Sequence, residues 1–384
     1  MPKTYFTYLP AIEGSLEEEL KLCLDQIEDT CLKGFTPVKL NIFTELPDYE
    51  FFLKERKNIA AIIKNTFRSG CPAFNVTVQP PEKPWKISIE GTFISTGACI
   101  VQMKEYQDFT YVIIDSDEGK ELWAAGVSSY SFPDDTAKAA GEAFSLMNEI
   151  LASEGMSFDN LVRQWNYIGN ILETKNNFQN YQLFNEVRND YYSRFRKVKG
   201  YPAATGVGMM HGGVILDFCA LRPGQSTTIK AVENPHQLNA YDYSQQVLKG
   251  AASEGSKPKH APQFERALLI ANRKEAVLHI SGTASIIGQE TVGKDDIEKQ
   301  TIVTINNMGL LSDTGRIKKM IPSTTLSNCR YSLLRIYVKK DGDFKRVRDI
   351  CLKNYPGVPA VFIRADICRD DLLMEVEAEA ELIF

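Results

Sequence analysis

Four glutamates alternate with apolar residues near the end of the chain: Glu375, Glu377, Glu379 and Glu381. The period of two predicts a β-strand whose opposite, apolar face is buried. Carboxylates spaced this closely repel one another. If one end of the row lies in a cleft, the glutamate there has a raised pKa and can serve as a general acid. If the row is solvated, it contributes only solubility, and the pattern by itself favours this second alternative.

Four other residues are candidates for a role in catalysis or ligand binding. Gly282 interrupts a strand pattern, which indicates either a β-bulge or close sheet–helix contact, or a close approach of backbone to a ligand; the first of these alternatives is favoured. Cys368 precedes Glu375 by seven residues and is typical of a half-buried loop cysteine. Arg188 and Arg266 have guanidinium groups that can donate two parallel hydrogen bonds to each carboxylate of a small acid, although an exposed arginine often has no such role.

One glycine-rich segment invites a nucleotide-binding interpretation that its details do not support. It reads Gly206-Val207-Gly208-Met209-Met210-His211-Gly212-Gly213. His211 stands where the third glycine of a dinucleotide motif belongs, and the segment precedes a strand instead of opening a helix. We interpret it as a tight turn that leads into a strand.

Composition excludes several classes of function. The 384 residues are 43% hydrophobic and 24% charged, which is globular and sufficient for two domains. A net charge of −5 does not favour a nucleic-acid partner. No apolar run reaches about 18 residues, and no secretory h-region follows Met1, so we expect no membrane span and no export. The eight cysteines and four histidines lack metal-binding spacing, which predicts a reduced cytoplasmic protein without a structural metal.

The elements that must position these residues occur twice. Residues 122–129 align with 278–285, and each copy is followed by a helix, an apolar strand, a second helix and a closing strand. The helical stretches are 136–152 and 295–311, the apolar strands are 161–168 and 333–338, and the closing strands are 213–221 and 372–382. We therefore predict an α+β fold of two tandem ββαβαβ-like units, each a sheet with two helices on one face.

The first 90 residues show no repeated pattern. Helices are predicted at 15–29, opened by a Ser15–Glu18 capping box, and at 48–66. The predicted organisation is an N-terminal extension (1–90), a first unit (91–230), a connecting segment (231–262) and a second unit (263–384). Within the connecting segment, the low-hydrophobicity insert 249–260 is expected to be a surface loop.

The second unit resembles the YjgF/RidA (L-PSP) family, which has a chorismate-mutase-like fold. The matching residues are His279-Ile280-Ser281-Gly282, Gln300, Asn306-Asn307, 334–338, Phe344-Lys345-Arg346-Val347, Pro359-Ala360 and Leu373-Met374-Glu375-Val376-Glu377. In that family an arginine that binds the carboxylate of an imino acid follows the Pro-Ala pair, whereas this chain has Val361. The departure argues against imine deamination by the usual route.

A longer stretch, residues 90–384, resembles the chorismatases, which are chorismate hydrolases and 3-hydroxybenzoate synthases built from two such units. The matching residues are Arg163-Gln164-Trp165-Asn166-Tyr167-Ile168, Phe184-Asn185 to Arg188, Tyr201-Pro202-Ala203-Ala204-Thr205-Gly206-Val207-Gly208, Glu233-Asn234-Pro235, Gln237, Tyr241, Phe264, Arg266-Ala267, Ser281-Gly282-Thr283-Ala284-Ser285-Ile286 and Cys368-Arg369 through Glu375. The insert 249–260 is longer than the family's loop.

This resemblance implies cleavage of the enolpyruvyl ether of chorismate, a dicarboxylate, with Glu375 as the general acid and no metal or organic cofactor. Within the family, glycine and cysteine at the positions of Gly282 and Cys368 accompany 3-hydroxybenzoate, whereas other pairs accompany a dihydroxycyclohexadiene acid. The residues implied to hold the carboxylates and the ring hydroxyl are Arg188, Arg266, Gln237 and Tyr241.

Three functions stay open on the sequence: the chorismatase reaction, a RidA-like imine or enamine deaminase, and a non-catalytic metabolite-binding protein of the same fold. Related units assemble as trimers with sites near subunit contacts. The resemblance therefore implies a homotrimer or a single chain that imitates one.

Overall fold

The structure is a computed structural model that describes residues 3–116, 118–250, 258–272, 275–321 and 326–384. The centre of the predicted surface loop, residues 251–257, lies outside the described residues. Within the described ranges, no helix is long and apolar enough to cross a membrane. All eight cysteines are free.

The N-terminal unit is a four-stranded sheet with two helices. Its elements are β1 (Thr4–Tyr8), α1 (Leu16–Leu32), β2 (Phe35–Thr44), α2 (Tyr49–Thr66), β3 (Ala73–Thr77) and β4 (Ile87–Ser95), with strand order β1-β4-β2-β3. The predicted capping box opens α1, because the Ser15 N–H donates to Glu18 Oε2 at 2.8 Å and the Glu18 N–H donates to Ser15 Oγ at 3.3 Å. The predicted boundary at residue 90 falls inside β4, so this unit extends to Ser95.

The middle unit is a six-stranded sheet with order β11-β8-β12-β7-β6-β5. Its elements are β5 (Ile100–Tyr106), β6 (Phe109–Ser116), β7 (Gly119–Val127), α3 (Thr136–Ser153), β8 (Leu161–Gly169), the short hairpin β9 (Thr174–Lys175) and β10 (Phe178–Gln179), α4 (Asn180–Phe195), β11 (Ala203–Met209) and β12 (Val214–Pro223). Helices α3 and α4 pack against each other and against one face of the sheet.

The C-terminal unit is a second six-stranded sheet, with order β13-β14-β15-β20-β18-β19. Its elements are β13 (Thr228–Val232), β14 (Ala267–Ala271), β15 (Ala276–Ala284), the hairpin β16 (Ile286–Ile287) and β17 (Glu290–Thr291), α5 (Ile297–Leu311), α6 (Thr314–Met320), β18 (Asn328–Val338), α7 (Phe344–Asn354), β19 (Ala360–Arg364) and β20 (Met374–Ile383). The predicted boundary at residue 230 falls inside β13, which pairs with β14 of this unit.

The three units share one core topology. It runs β1-α1-β2-α2-β3-β4, then β7-α3-β8-α4-β11-β12, then β15-α5-β18-α7-β19-β20. In each core the second and third strands are parallel, and the closing strand lies between the first and second. The expectation that the first 90 residues form a non-repeating extension is therefore wrong, because they form a third copy without the leading strands. The six-stranded sheet of each longer unit also contains two more strands than the predicted ββαβαβ pattern.

The helices cover one face of each sheet, and the opposite faces meet in the interior. In β20, Val376 and Ala378 pack with Met308 of α5 and other residues of the helical layer. The intervening Glu377 points the other way and forms hydrogen bonds with the middle unit. The alternating pattern of β20 therefore separates a helix-covered face from a face that contacts other units.

Each closing strand places one buried carboxylate at the same register in this interior. The three are Glu90, Asp217 and Glu377. Each is bound by a cation of a neighbouring unit: Arg335 to Glu90 at 2.6 Å, Lys39 to Asp217 at 2.7 Å and Arg163 to Glu377 at 2.8 Å. The ion pairs pass once around the three units, so a single chain has a pseudo-threefold arrangement.

Candidate active site

A pocket opens between the middle and C-terminal units, where β11 contacts β15. It holds about 690 Å³ of space between protein atoms, part of it open to solvent. Side chains and backbone of both units line it, among them Tyr181, Asn185, Tyr243, Arg266, Gly282, Cys368, Arg369 and Glu375. Four of the seven residues predicted for a site therefore come together here: Gly282, Arg266, Cys368 and Glu375.

Glu375 supplies the carboxyl group of the pocket. It lies on β20 opposite Tyr337 of β18, and only 4% of its surface is exposed. Burial raises its pKa to about 8; the charge of Glu377 adds to the rise, and Arg266 opposes it. Because a pKa of about 8 keeps the carboxyl protonated at neutral pH, Glu375 can donate a proton to a bound ligand.

Gly282 lies directly against this carboxyl. The pairing of β15 with β20 is interrupted between Ile280 and Thr283, so Gly282 sits in a bulge, as the favoured interpretation of the sequence predicted. A Cβ at this position would lie 2.0 Å from Oε1 of Glu375 and 3.0 Å from the methyl group of Thr205. The absence of a side chain therefore allows the backbone to form the pocket wall beside the acid.

Glu377, two residues along the same face, is held as an anion. Burial opposes its ionisation, but Arg335 and Arg163 outweigh this effect and lower its pKa. Arg335 Nη1 lies 2.7 Å from one carboxylate oxygen, and Trp165 Nε1 donates to the same oxygen at 2.9 Å. Glu375 is thus protonated and Glu377 is ionised at neutral pH. Neighbouring carboxyl groups whose pKa values are moved apart in this way can take different roles, one as the acid and one as a fixed charge.

The remaining glutamates of the row have different surroundings. Glu379 was expected to be solvated, but it is buried, contacts His279 Nδ1 and lies 3.4 Å from Arg163 Nε. That expectation is wrong because the middle unit covers this part of the strand. Glu381 is partly exposed and pairs with Arg330 at 2.8 Å, close to the predicted surface role.

Cys368 reaches the pocket from the loop between β19 and β20. Burial and the nearby charge of Glu375 raise the pKa of its thiol to about 12. The group is therefore a neutral thiol at physiological pH. It can present an S–H group to a ligand, but it is not a thiolate nucleophile.

Arg188 lies behind the pocket wall on α4. Only 1% of it is exposed, and its Nη2 donates to Asn185 Oδ1 at 2.6 Å. Among the described residues, Arg188 Nε and Asn185 Nδ2 are buried without a hydrogen-bond partner. Asn185 itself lines the pocket. Two unsatisfied donors beside a cavity favour a negatively charged or oxygen-rich ligand.

A cluster of two arginines and a tyrosine forms another part of the wall. Arg266 donates to the carbonyl of Leu238 at 2.6 Å and to the hydroxyl of Tyr243 at 2.7 Å. Arg369 lies 5.0 Å from the centre of the Tyr243 ring and donates to the carbonyl of Gln289 at 2.6 Å. Backbone carbonyls and the tyrosine thus hold both guanidinium groups in place and leave their positive charge available to a ligand.

Besides Arg188, two predicted binding residues, Gln237 and Tyr241, do not line the pocket. Gln237 donates to the carbonyl of Ile286 at 3.2 Å and supports the loop behind the wall. The Tyr241 hydroxyl donates to Glu265 at 3.4 Å, and its ring packs on Tyr201. Tyr243, two residues further along, occupies the wall instead. Sequence reasoning also missed Asn185 and Arg369, although both lie inside quoted motifs.

The equivalent positions of the other two units lack the acid. Ile215 of β12 and Ser88 of β4 occupy the register of Glu375. At the interface between the N-terminal and middle units, Tyr130 donates its hydroxyl to the carbonyl of Gly126, the residue that aligns with Gly282. Of the three equivalent positions, only the one on β20 therefore carries the acid.

Comparisons with known proteins identify relatives of this chain. Residues 101–220 match the family described as Chorismatase FkbO/Hyg5-like, N-terminal. The chain is 30% identical over 247 residues to a 3-hydroxybenzoate synthase of Streptomyces hygroscopicus, covering 62% of this chain and 68% of that protein. It is 28% identical to a chorismatase of the same organism, covering 60% of this chain and 64% of that protein. A crystal structure of a chorismatase superposes with a TM-score of 0.65 at 20% identity, covering 99% of each chain, which establishes the shared fold.

Proposed function

Because this chain belongs to the chorismatase family, we propose that it cleaves the enolpyruvyl ether of chorismate and releases pyruvate, with Glu375 as the proton donor. The observation that carries the proposal is the buried carboxyl of Glu375, protonated at neutral pH and facing a pocket with a bare backbone wall at Gly282. The relatives named as a 3-hydroxybenzoate synthase and a chorismatase support the choice of substrate.

The first step is proton transfer from Glu375 to the terminal CH₂ of the enolpyruvyl group. The vinyl electron pair forms the new C–H bond, and the adjacent ether carbon becomes an oxocarbenium ion. Glu375 is left as a carboxylate, and its negative charge stabilises the positive charge that has just formed. The bond between the ether oxygen and ring carbon C3 then breaks, and its electron pair completes the carbonyl of pyruvate, whose methyl group contains the transferred proton. On the route without water, the C4 hydroxyl oxygen bonds to C3 and returns its proton to the Glu375 carboxylate, and loss of the proton on C3 as the C4–O bond breaks makes the ring aromatic.

The fate of the ring determines which product accompanies pyruvate. 3-Hydroxybenzoate and pyruvate together contain all the atoms of chorismate, so this route consumes no water overall. The diene acid and pyruvate together contain one additional water. We propose the first route because Gly282 and the neutral thiol of Cys368 both face the pocket, the combination that the family resemblance associates with 3-hydroxybenzoate.

The two carboxylates of chorismate require cationic partners. We assign one to the wall formed by Arg266 and Arg369 around Tyr243. We assign the other to Asn185 and the buried Arg188 behind it, because Asn185 Nδ2 and Arg188 Nε have no hydrogen-bond partner among the described residues. Desolvated arginines of this kind bind carboxylates strongly because little hydration has to be removed from them on binding.

The proposal is tested by incubating purified protein with chorismate and measuring pyruvate through lactate dehydrogenase. We expect pyruvate release, with 3-hydroxybenzoate as the main ring product by chromatography. Glu375→Gln keeps the size of the side chain but removes the proton, so this variant should remain folded and lose most of its turnover. Binding of chorismate without release of pyruvate would identify a binding protein instead.

We further propose that the chain acts as a monomer. Three copies of the core within one chain already form the arrangement that separate subunits would otherwise supply. The residues that line the pocket come from two units of the same chain, which supports a site formed within one chain.

A further inference from the structure

Thr205 connects the backbone wall of the pocket to the charged centre of the molecule. It lies on β11, and only 1% of it is exposed. Its hydroxyl donates to Glu377 Oε2 and accepts the N–H of Gly282 at 3.0 Å. The Thr205 hydroxyl oxygen also accepts a hydrogen bond from Arg163 Nη1 at 3.3 Å. The Thr205 hydroxyl thus contacts three groups: Glu377, the Gly282 bulge beside Glu375, and Arg163.

The contact with Gly282 has a direct bearing on Glu375. Gly282 lies outside the paired part of β15, so the strand ladder does not hold its N–H. The bulge also forms the surface against which the Glu375 carboxyl rests. A hydrogen bond that fixes the bulge therefore fixes the position from which Glu375 delivers its proton, and small displacements of reacting groups have large effects on rate.

The equivalent interface, between the N-terminal and middle units, lacks such a link. There the N–H of Gly126 donates directly to Asp217 Oδ1 at 2.8 Å, and Asn75 donates to Oδ2 at 2.6 Å. A Cβ on Gly126 would lie 2.8 Å from the carbonyl oxygen of Phe74, so backbone fills the space beside this glycine. In the pocket, by contrast, the Thr205 hydroxyl lies between the N–H of Gly282 and the carboxylate of Glu377. The group beside Gly282 is the carboxyl of Glu375 instead of backbone.

We propose that Thr205 is a positioning residue for the reaction assigned above, holding the Gly282 bulge against Glu375 and orienting Glu377 through one shared hydroxyl. This inference rests on the proposed function. The groups that face Glu377 are Arg163 on β8, Arg335 and Tyr337 on β18, Lys39 on β2, and Glu375 and Glu379 on its own strand. The cations keep Glu377 ionised, so loss of the Thr205 donor leaves its charge less compensated and raises the pKa of Glu375 further.

The test compares Thr205→Val, which keeps the shape and removes the hydroxyl, with Thr205→Ser, which keeps the hydroxyl. We expect Thr205→Val to lose about 30-fold in kcat with KM within about threefold, and the alkaline limb of its pH–rate profile to move to higher pH. Thr205→Ser should restore at least about a third of the wild-type kcat and the wild-type limb.

Asn75→Ala is the matched control, since Asn75 occupies the same register at the interface without an acid. It removes a buried donor to a carboxylate and should leave the pH limb in place. The inference is overturned if Thr205→Val retains the wild-type kcat and limb, if Thr205→Ser is as impaired as Thr205→Val, or if Asn75→Ala shifts the limb equally.

A second readout separates this inference from the proposed function. The infrared band of the protonated carboxyl, assigned by its disappearance in Glu375→Gln, reports the titration of Glu375 without substrate. If the wild-type protein releases no pyruvate, the proposed function fails. The Thr205 link then stands or falls on whether Thr205→Val moves this titration to higher pH while Thr205→Ser does not.

Discussion

The protonation of Glu375 predicts an alkaline limit to activity. Its pKa of about 8 leaves about 90% of the carboxyl protonated at pH 7 and about 10% at pH 9. Because only the protonated form can donate, kcat/KM should fall about tenfold between these two values. The pKa of Cys368 is about 12, and burial raises that of Tyr181 above its usual value, so neither should titrate in this range.

The assay is the initial rate of pyruvate release at chorismate concentrations well below KM, between pH 6 and 9.5, with the coupling enzyme in excess at every pH. The midpoint of the fall should lie near pH 8. Glu375→Gln should have only a small residual rate that does not show this limb. A wild-type rate that stays constant to pH 9.5, or that is already halved below pH 6, would refute the reasoning that a buried, protonated Glu375 is the donor.

Three other outcomes follow from the structure. Keeping Glu375 protonated disfavours the folded state at pH values above its ordinary pKa of 4.5, so Glu375→Gln should raise the free energy of unfolding by up to about 3 kcal/mol at pH 7 and by little at pH 4.5, in denaturant titrations. Gly282→Ala places a methyl group against the acid and should shift the ring product from 3-hydroxybenzoate towards the diene acid, as measured by chromatography; an unchanged ratio would remove Gly282 from product control. Light scattering should give the mass of one chain, 43.2 kDa, and a mass three times larger would contradict the monomer.

The repeat could be found in the sequence only where enough side chains are shared. The match between the segments around Gly126 and Gly282 can be recognised in the sequence because both glycines lie in the bulged part of the first core strand. The N-terminal unit has the same topology, but β1 has no corresponding glycine and its closing strand places Ser88 where the C-terminal unit has Glu375. Its membership of the repeat is therefore visible in the connectivity of the strands and not in the residues.

The alternation in β20 correctly predicted a strand with one apolar face, and it could not show what covers the other face. A row of carboxylates facing water has the same sequence pattern as one facing the arginines of another unit. Glu379 was misjudged for this reason, since its partners Arg163 and His279 lie far away in the sequence. Tyr241 lies in a three-residue 3-10 helix, Ala240–Asp242, and Tyr243 directly follows it. This element is too short for periodicity to indicate which ring reaches the pocket.

The most direct test of the central claim is turnover of chorismate in D₂O, with the pyruvate analysed by mass spectrometry. Donation from Glu375, which exchanges its proton with solvent, predicts pyruvate with one deuterium in its methyl group and a rate at least about 100-fold lower in Glu375→Gln. Absence of pyruvate would contradict the proposed reaction. Singly deuterated pyruvate formed by Glu375→Gln at the wild-type rate would contradict the role of Glu375.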